Sequence, residues 1–168
     1  AHAYLLKATR EAKERTSWTY PVVEYENRLR GLVDGLFAEA DFLAELEEAV
    51  VTVRPLGERV SLAWTLLRLT SPGVPDTYQG CELWDLSLVD PDNRRPVDFE
   101  RHQALLDRAE AANAQALLRG TDDGLPKLAV TRRALDLRRR RPELFGRLGD
   151  YHPLLVDGPL AEHCVAYA

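Results

Sequence analysis

The sequence predicts a mainly α-helical chain that ends in a short β-hairpin, and three observations support this fold class. Apolar side chains recur at helical spacing over most of the 168 residues, in runs separated by Pro and Gly. One long polar segment, residues 71–99, lacks that spacing and is typical of a loop. Close to the C-terminus the apolar period changes to two, which favours strands. With 45% hydrophobic residues, the chain can build one core.

Four helices are predicted before residue 70. The first is broken at residues 18–21, WTYP, because a residue that precedes proline is disfavoured in a helix. The second has the clearest amphipathic pattern, with Tyr25 and Leu29 on one face. Pro55 and Gly57 both disfavour helix and predict a break between the third and the fourth. The predicted helices span residues 3–15, about 24–37, 41–53 and 59–69.

The middle of the chain predicts a strand, a loop and two further helices. The strand is expected at residues 74–78, and the polar loop follows it up to Pro96. Asp98 is a suitable N-cap for a long helix that Gly120 would end. Pro126 suits the first turn of the next helix, which is expected to reach about residue 141. The four arginines at the end of that helix are predicted to form a solvated, dipole-compatible end.

The last segment predicts two strands, residues 151–156 and 163–167, around a turn at Asp157-Gly158-Pro159. A two-stranded hairpin is only marginally stable by itself. We therefore expect the chain to be a piece of a larger protein. Three parts are expected: residues 1–70, 71–145 and 146–168.

Composition excludes several classes of function. A net charge of −5 and an isoelectric point of about 5.4 argue against a nucleic-acid partner. No apolar run is long enough to span a bilayer, and the charged N-terminal helix does not resemble a signal peptide. Cys81 and Cys164 are too few for a disulfide framework. We expect no membrane partner and a cytoplasmic location.

Metal binding is not expected, and neither is a cofactor. Residues 90–94, DPDNR, begin like a calcium loop, but Arg94 and Arg95 stand where such loops need an oxygen ligand and Gly. The four histidines have no zinc-ligand spacing. The sequence also contains no nucleophile elbow and no phosphate-binding loop.

The acids of the polar loop suggest contacts to a sugar. A glycosidase carboxylate pair faces the scissile bond from two sides, which usually takes two separate strands, so acids that bind sugar or fasten the loop are favoured here over a catalytic pair. Asp90 and Arg94 could bind vicinal sugar hydroxyls or could only fasten their own loop. Tyr78 and Trp84 could stack on a pyranose or belong to the core. The residues leave these alternatives open.

Three motifs carry a resemblance. Residues 73–82, GVPDTYQGCE, resemble the G-x-P-x-x-Y-x-G-x-E segment at the eighth barrel strand of the α-amylase family. Residues 90–96, DPDNRRP, resemble the D-P-x-N-R-R-P loop of that family. Residues 10–26 resemble the R-E-A-K-x-x-T-S-W-x-x-P-x-x-x-Y-E pattern of its trehalose-forming branch. One departure is Thr19-Tyr20-Pro21-Val22, where that branch usually shows Asn beside the proline.

The resemblance implies part of a (β/α)8 barrel. A whole barrel needs roughly 200 residues or more. Residues 1–70 would then be a helical insertion, and residues 71–145 the last barrel strand, the sugar-binding loop and the following helices. Residues 146–168 would begin a C-terminal β domain and stop inside it. The family's catalytic carboxylates follow earlier strands, and its His-Asp motif is absent here, so the chain by itself would be inactive.

The resemblance also implies a reaction and a site. The parent enzyme would rearrange the reducing end of a maltooligosaccharide by intramolecular transglucosylation, forming an α,α-1,1 linkage. Asp90 and Arg94 would contact the sugar, and Tyr78 and Glu82 would lie at or behind the same site. Non-native self-association of the isolated chain is a further expectation. Two alternatives remain, another hydrolase or transferase of the α-amylase family and a non-catalytic helical interaction module.

Overall fold

Helices dominate the part of the chain that the structure, a computed structural model, describes, which is residues 1–88, 92–119, 123–147 and 149–168. The α-helices are α1 (His2–Ala12), α2 (Val23–Ala38), α3 (Ala40–Thr70), α4 (Phe99–Ala111), α5 (Ala114–Arg119) and α6 (Leu125–Arg140). Single 3-10 turns occur at Asp92–Arg94, Pro142–Leu144 and Ala161–His163. The prediction of a mainly helical chain is confirmed.

The chain divides into two compact units. The first comprises Ala1–Glu58 and Leu86–Pro96, and the second comprises Arg59–Asp85 and Val97–Ala168. The domain boundaries predicted near residues 70 and 145 stay predictions. None of the helices in the described ranges combines the length and the apolar character that crossing a bilayer requires.

In the first unit, α1 packs against α2, as the two amphipathic patterns predict. α1 ends three positions before the predicted end, because Lys13 adopts a left-handed backbone conformation with φ 58°. α2 begins at Val23 after a loop, and Glu24 and Glu26 in its first turn favour the positive end of the helix dipole.

The predicted break at Pro55 is wrong, because α3 runs through it as one helix of 31 residues. A proline inside a helix removes one hydrogen bond and costs about 3 kcal/mol. Helix-favouring Leu, Glu and Ala residues on both sides sustain the helix across that position. An ion pair with 2.8 Å between Arg54 Nε and Glu58 Oε1 also spans the proline at the favourable i, i+4 spacing.

The core of the second unit lies between α4, α5 and α6. Its buried side chains are Leu83, Leu105, Ala109, Leu117, Leu125, Leu128 and Ala129. α4 begins where the sequence predicts, because the Asp98 carboxylate accepts a hydrogen bond from the Arg101 amide at 2.9 Å.

The single helix predicted from Asp98 to Gly120 is wrong. α4 ends at Ala111, Ala112 is extended, and α5 begins at Ala114. Asn113 provides the physical reason, since its side-chain oxygen accepts from the Ala116 amide at 2.9 Å and caps a new helix. Gly120 lies outside the described residues.

α6 starts at Leu125 with Pro126 in its first turn, as predicted. Its arginine-rich end is not solvated throughout, and that prediction is wrong at Arg138. The Arg138 guanidinium donates to the carbonyls of Leu69 and Ser71 at 3.0 and 2.9 Å, and also to the Gly73 carbonyl. Its carbon Cζ lies 4.6 Å from the ring centroid of Phe145.

The predicted strands are not formed as regular strands within the described residues. Residues 74–78 form no strand and pair with no other strand, and the Val74 side chain is fully exposed. At the C-terminus, Pro153 and Tyr167 form one antiparallel bridge, and His152 and Ala168 exchange two backbone hydrogen bonds of 3.0 Å. The predicted pairing is therefore present only locally, as expected for a hairpin without a third strand.

Candidate functional site

An open cavity of about 570 Å³ lies within the second unit. Its volume falls in the range of small-molecule sites, roughly 300–1,000 Å³. The lining residues are Ser61, Trp64, Thr65, Leu67, Arg68, Ser71, Cys81, Asp85 and Lys127. Hydroxyl groups, positively and negatively charged side chains and one large aromatic ring thus line the same concave surface.

Two elements position this lining. On α3, Ser61, Trp64 and Arg68 face the cavity together because positions i, i+3 and i+7 share one helix face. On the other side, α6 begins directly against the chain that carries Cys81 and Asp85. Gly124 makes this approach possible, since a Cβ atom there would lie 2.7 Å from the Trp84 amide nitrogen.

Lys127 is the half-buried cation of the cavity. Burial lowers the pKa of its ammonium group, while Cys81 and Asp85 act in the opposite direction. The Lys127 ammonium group makes no hydrogen bond or ion pair with the residues that the structure describes, and only the backbone of Lys127 is hydrogen-bonded. The Arg68 guanidinium, by contrast, donates to the carbonyl of Asp76.

Two of the predicted sugar-binding residues, Tyr78 and Glu82, belong to the second unit. The Cys81 amide donates a hydrogen bond to the Tyr78 carbonyl at 3.2 Å, so a tight turn lies between Tyr78 and Glu82. Gly80 permits that turn with φ 90°. The Tyr78 side chain is half-exposed.

Glu82 faces a histidine that the sequence analysis considered only as a metal ligand. His102 Nε2 lies 3.7 Å from Glu82 Oε2, and within the described residues neither buried atom has a hydrogen-bond partner. The other ring nitrogen, Nδ1, lies 2.8 Å from the carbonyl oxygen of Asp98 and therefore donates to it. Nε2 can then donate to Glu82 only when the imidazole is positively charged. The sequence could have indicated this contact to Asp98, because His102 follows the predicted helix cap Asp98 by four residues and lies one helical turn further along.

The other two predicted contacts fall elsewhere. Asp90 lies outside the described residues. Arg94 is exposed at the end of the 3-10 turn Asp92–Arg94, in the first unit. Its neighbour Asn93 has a buried side-chain oxygen that lacks a hydrogen-bond partner among the described residues.

The motif at residues 10–26 forms one polar cluster in the first unit. The Arg10 guanidinium makes two hydrogen bonds, of 2.8 and 2.7 Å, to the Glu26 carboxylate. Thr16 donates to the same carboxylate at 2.6 Å and accepts from the Val22 amide at 2.9 Å. The Arg10 Cζ atom also lies 5.0 Å from the Trp18 ring centroid. The motif therefore fastens the loop between α1 and α2.

Replacing Glu26 by glutamine is expected to remove an acid-sensitive part of the first unit's stability. The hydrogen bonds from Arg10 and then Thr16 lower the pKa of Glu26 from 4.5 to about 2. A carboxylate with a lowered folded-state pKa stabilises fully above its unfolded-state value and loses that contribution as the pH falls towards the folded-state value. The melting temperature of the unaltered chain should therefore fall between pH 4.5 and 2, and that of Glu26→Gln should fall less.

Glu24→Gln is the matched control, because its ion pair with Arg28 is exposed. It should retain the acid sensitivity of the unaltered chain. Equal pH dependence in the Glu26→Gln variant and the unaltered chain would contradict the assignment.

Comparison with known proteins gives one consistent result. No family model matches the chain. It is 43% identical over 166 residues to a Mycobacterium tuberculosis protein named maltooligosyl trehalose synthase, covering 99% of this chain and 20% of that protein. The solved structure of maltooligosyltrehalose synthase from Arthrobacter ramosus is 45% identical with a TM-score of 0.87, over 99% of this chain and 21% of that one. A second maltooligosyl trehalose synthase crystal structure is 35% identical with a TM-score of 0.89, over 99% and 22%. The chain thus spans about a fifth of the length of the curated relatives it matches.

Proposed function

The chain is homologous over nearly its whole length to one segment of the maltooligosyltrehalose synthases, and we propose that it serves as that segment in a trehalose-forming enzyme. The predicted resemblance to the trehalose-forming branch is confirmed by these relatives. The observation that carries the proposal is the agreement of both sequence and fold across the chain.

For the whole enzyme we propose an intramolecular transglucosylation on maltooligosaccharides. The α-1,4 bond at the reducing end breaks with retention, and the C1 atom of the penultimate glucose bonds to an enzyme carboxylate while the leaving O4 takes up a proton. The released glucose stays bound, and its own anomeric hydroxyl attacks that C1 atom and loses its proton. The product carries an α,α-1,1 linkage. Water competes for the same intermediate, so the site has to be closed.

In this proposal the segment supplies sugar contacts rather than the catalytic carboxylates. Asp90 and Arg94 bind vicinal hydroxyls, and Tyr78 and Glu82 lie at or behind that site. The exposure of the Arg94 side chain supports this use of the loop, because a ligand can reach its guanidinium group. A cytoplasmic location and independence from cofactors also remain proposals.

The segment's place in a barrel is likewise a proposal. Residues 74–78 would be the last strand of a (β/α)8 barrel, residues 1–70 a helical insertion that helps to close the site, and residues 146–168 the start of a β domain. Nearly complete exposure of Val74, Leu86 and Leu155 supports further chain packing on these positions. The same exposure would promote self-association of the isolated chain.

In a full-length synthase that carries this segment, Arg94→Ala and Asp90→Ala should each raise the Michaelis constant for maltooligosaccharide about ten- to a hundredfold. A hydrogen bond to a charged group contributes about 1.5–3 kcal/mol, which corresponds to that factor in affinity. The double variant should lose less binding free energy than the two single variants lose together, because both side chains hold one sugar ring. Loss of reducing ends measures the reaction.

Arg95→Ala, one position along, is the matched control and should leave the Michaelis constant unchanged. The 168-residue chain alone should remove no reducing ends. Fully additive effects of the Asp90 and Arg94 changes would place the two residues at separate positions, and an inactive full-length enzyme would overturn the proposed reaction.

A further inference from the structure

The cavity of the second unit contains a donor without an acceptor. The Lys127 side chain lines it, is half-buried, and has no hydrogen-bond or ion-pair partner in the described ranges of the chain. Partial burial of the side chain reduces the hydration of its ammonium group, and this burial lowers the pKa of Lys127. A ligand that supplies oxygen atoms at this position would add hydrogen bonds to the ammonium group.

The same cavity offers acceptors for hydroxyl groups. The Thr65 hydroxyl donates its proton to the Ser61 carbonyl at 2.7 Å, and the Ser71 hydroxyl donates to the Leu67 carbonyl at 2.7 Å. Both oxygens keep lone pairs that can accept from a ligand. Fixed acceptors and a free ammonium donor in one cavity suit a ligand whose hydroxyls both donate and accept.

An aromatic surface completes the cavity. Trp64 is 68% exposed, although it stands on the α3 face that carries the other lining residues. An indole ring binds an apolar ring face through contact area and its negative π surface. The C–H face of a glucose unit is such a surface, whereas a linear polar ligand would not use the ring.

The charges favour a neutral ligand over an anion. Of the two lining cations, Arg68 already donates to the Asp76 carbonyl. The Asp85 carboxylate lines the same wall as Lys127 and would repel a phosphate or a carboxylate.

We propose that this cavity binds a glucosyl unit of an α-1,4-glucan, with Trp64 stacking on the ring and Lys127 donating to its hydroxyls. The choice of sugar rests on the proposed function. The site is additional to the loop of Asp90 and Arg94, since all of its lining residues belong to the second unit.

Titration of maltotriose into the 168-residue chain, followed by calorimetry, tests this site. Lys127→Gln and Trp64→Leu should each weaken binding about tenfold or more, the factor that corresponds to a charged hydrogen bond. Lys13→Gln and Trp18→Leu are matched controls in the first unit and should bind as the unaltered chain does. Circular dichroism should show that all four variants keep the helical fold.

Three results would overturn the cavity site: no binding by the unaltered chain, equal affinity in the Lys127 and Trp64 variants, or displacement of maltotriose by inorganic phosphate. These are distinguishable from failure of the proposed function. If the full-length enzyme consumes reducing ends but the cavity variants bind maltotriose normally, only the cavity site is overturned. If maltotriose binding depends on the cavity residues but the full-length enzyme leaves reducing ends intact, only the proposed reaction is overturned.

Discussion

Replacing Arg138 by alanine is expected to lower the free energy of unfolding of the second unit by about 3 kcal/mol, the upper range for a hydrogen bond to a charged group. Its guanidinium donates to three carbonyls, those of Leu69, Ser71 and Gly73, at the point where α3 ends. The guanidinium also lies over the Phe145 ring. The backbone carbonyl of Phe145 accepts a hydrogen bond from the Gly73 amide at 3.0 Å. One side chain thus joins α6 to two other segments. Urea denaturation followed by circular dichroism measures the loss.

Arg139→Ala is the control for this effect, because Arg139 is adjacent in sequence and, among the residues that the structure describes, pairs with Asp136 alone, on the exposed side of the same helix. An exposed ion pair contributes about 0.2–1 kcal/mol. Arg138→Lys keeps the charge but loses the planar fork, and we expect it to recover only part of the stability. A loss for Arg138→Ala no larger than for Arg139→Ala would show that the three carbonyl contacts contribute nothing.

Replacing Gly124 by alanine is the second change with a large expected effect. Gly124 has φ 80°, a conformation that costs an L-residue about 1–2 kcal/mol. The added Cβ would also lie 2.7 Å from the Trp84 amide nitrogen and 3.1 Å from Leu83 Cα, and such overpacking costs about 1–3 kcal/mol. Both contacts are with backbone, which cannot rotate away. We expect a destabilisation of about 3 kcal/mol, together with displacement of Lys127 from the cavity.

Gly57→Ala is expected to have the opposite effect on the free energy of unfolding, measured in the same way. Gly57 lies inside α3 with open space around it, so alanine there should stabilise the chain by about 0.5–1 kcal/mol. Maltotriose affinity should fall for Gly124→Ala and stay constant for Gly57→Ala. Equal unfolding free energies for the two variants would contradict the close approach of α6 to residues 83–84.

Several features were predictable because they depend on near neighbours in the sequence. The amphipathic period places α1 and α2, Asp98 caps α4, and Pro126 marks the start of α6. Each rests on interactions within about one helical turn, so local residue types decide them. The break at Asn113 is also local, and it was missed because apolar periodicity continues across the cap.

For the candidate site, sequence reasoning identified Tyr78 and Glu82 but not their surroundings. The loop that bears Glu82 was recognisable from its motif, whereas His102 beside it and Lys127 in the cavity carried no motif of their own. Their environments arise when α4 and α6 pack on the chain near Leu83. Burial and charge at a site depend on such packing, and spacing along the chain does not reveal it.

By itself, the sequence determined the helical class, the starts of α4 at Asp98 and of α6 at Pro126, and the resemblance to trehalose-forming enzymes. The tertiary structure decided that α3 continues through Pro55 and that residues 74–78 lack a strand partner. It also decided that the Arg138 guanidinium binds backbone carbonyls instead of being solvated. The physical reason is the distance in sequence between the interacting groups. Arg138 meets a carbonyl 69 positions away, and a strand exists only when another chain segment supplies its hydrogen bonds.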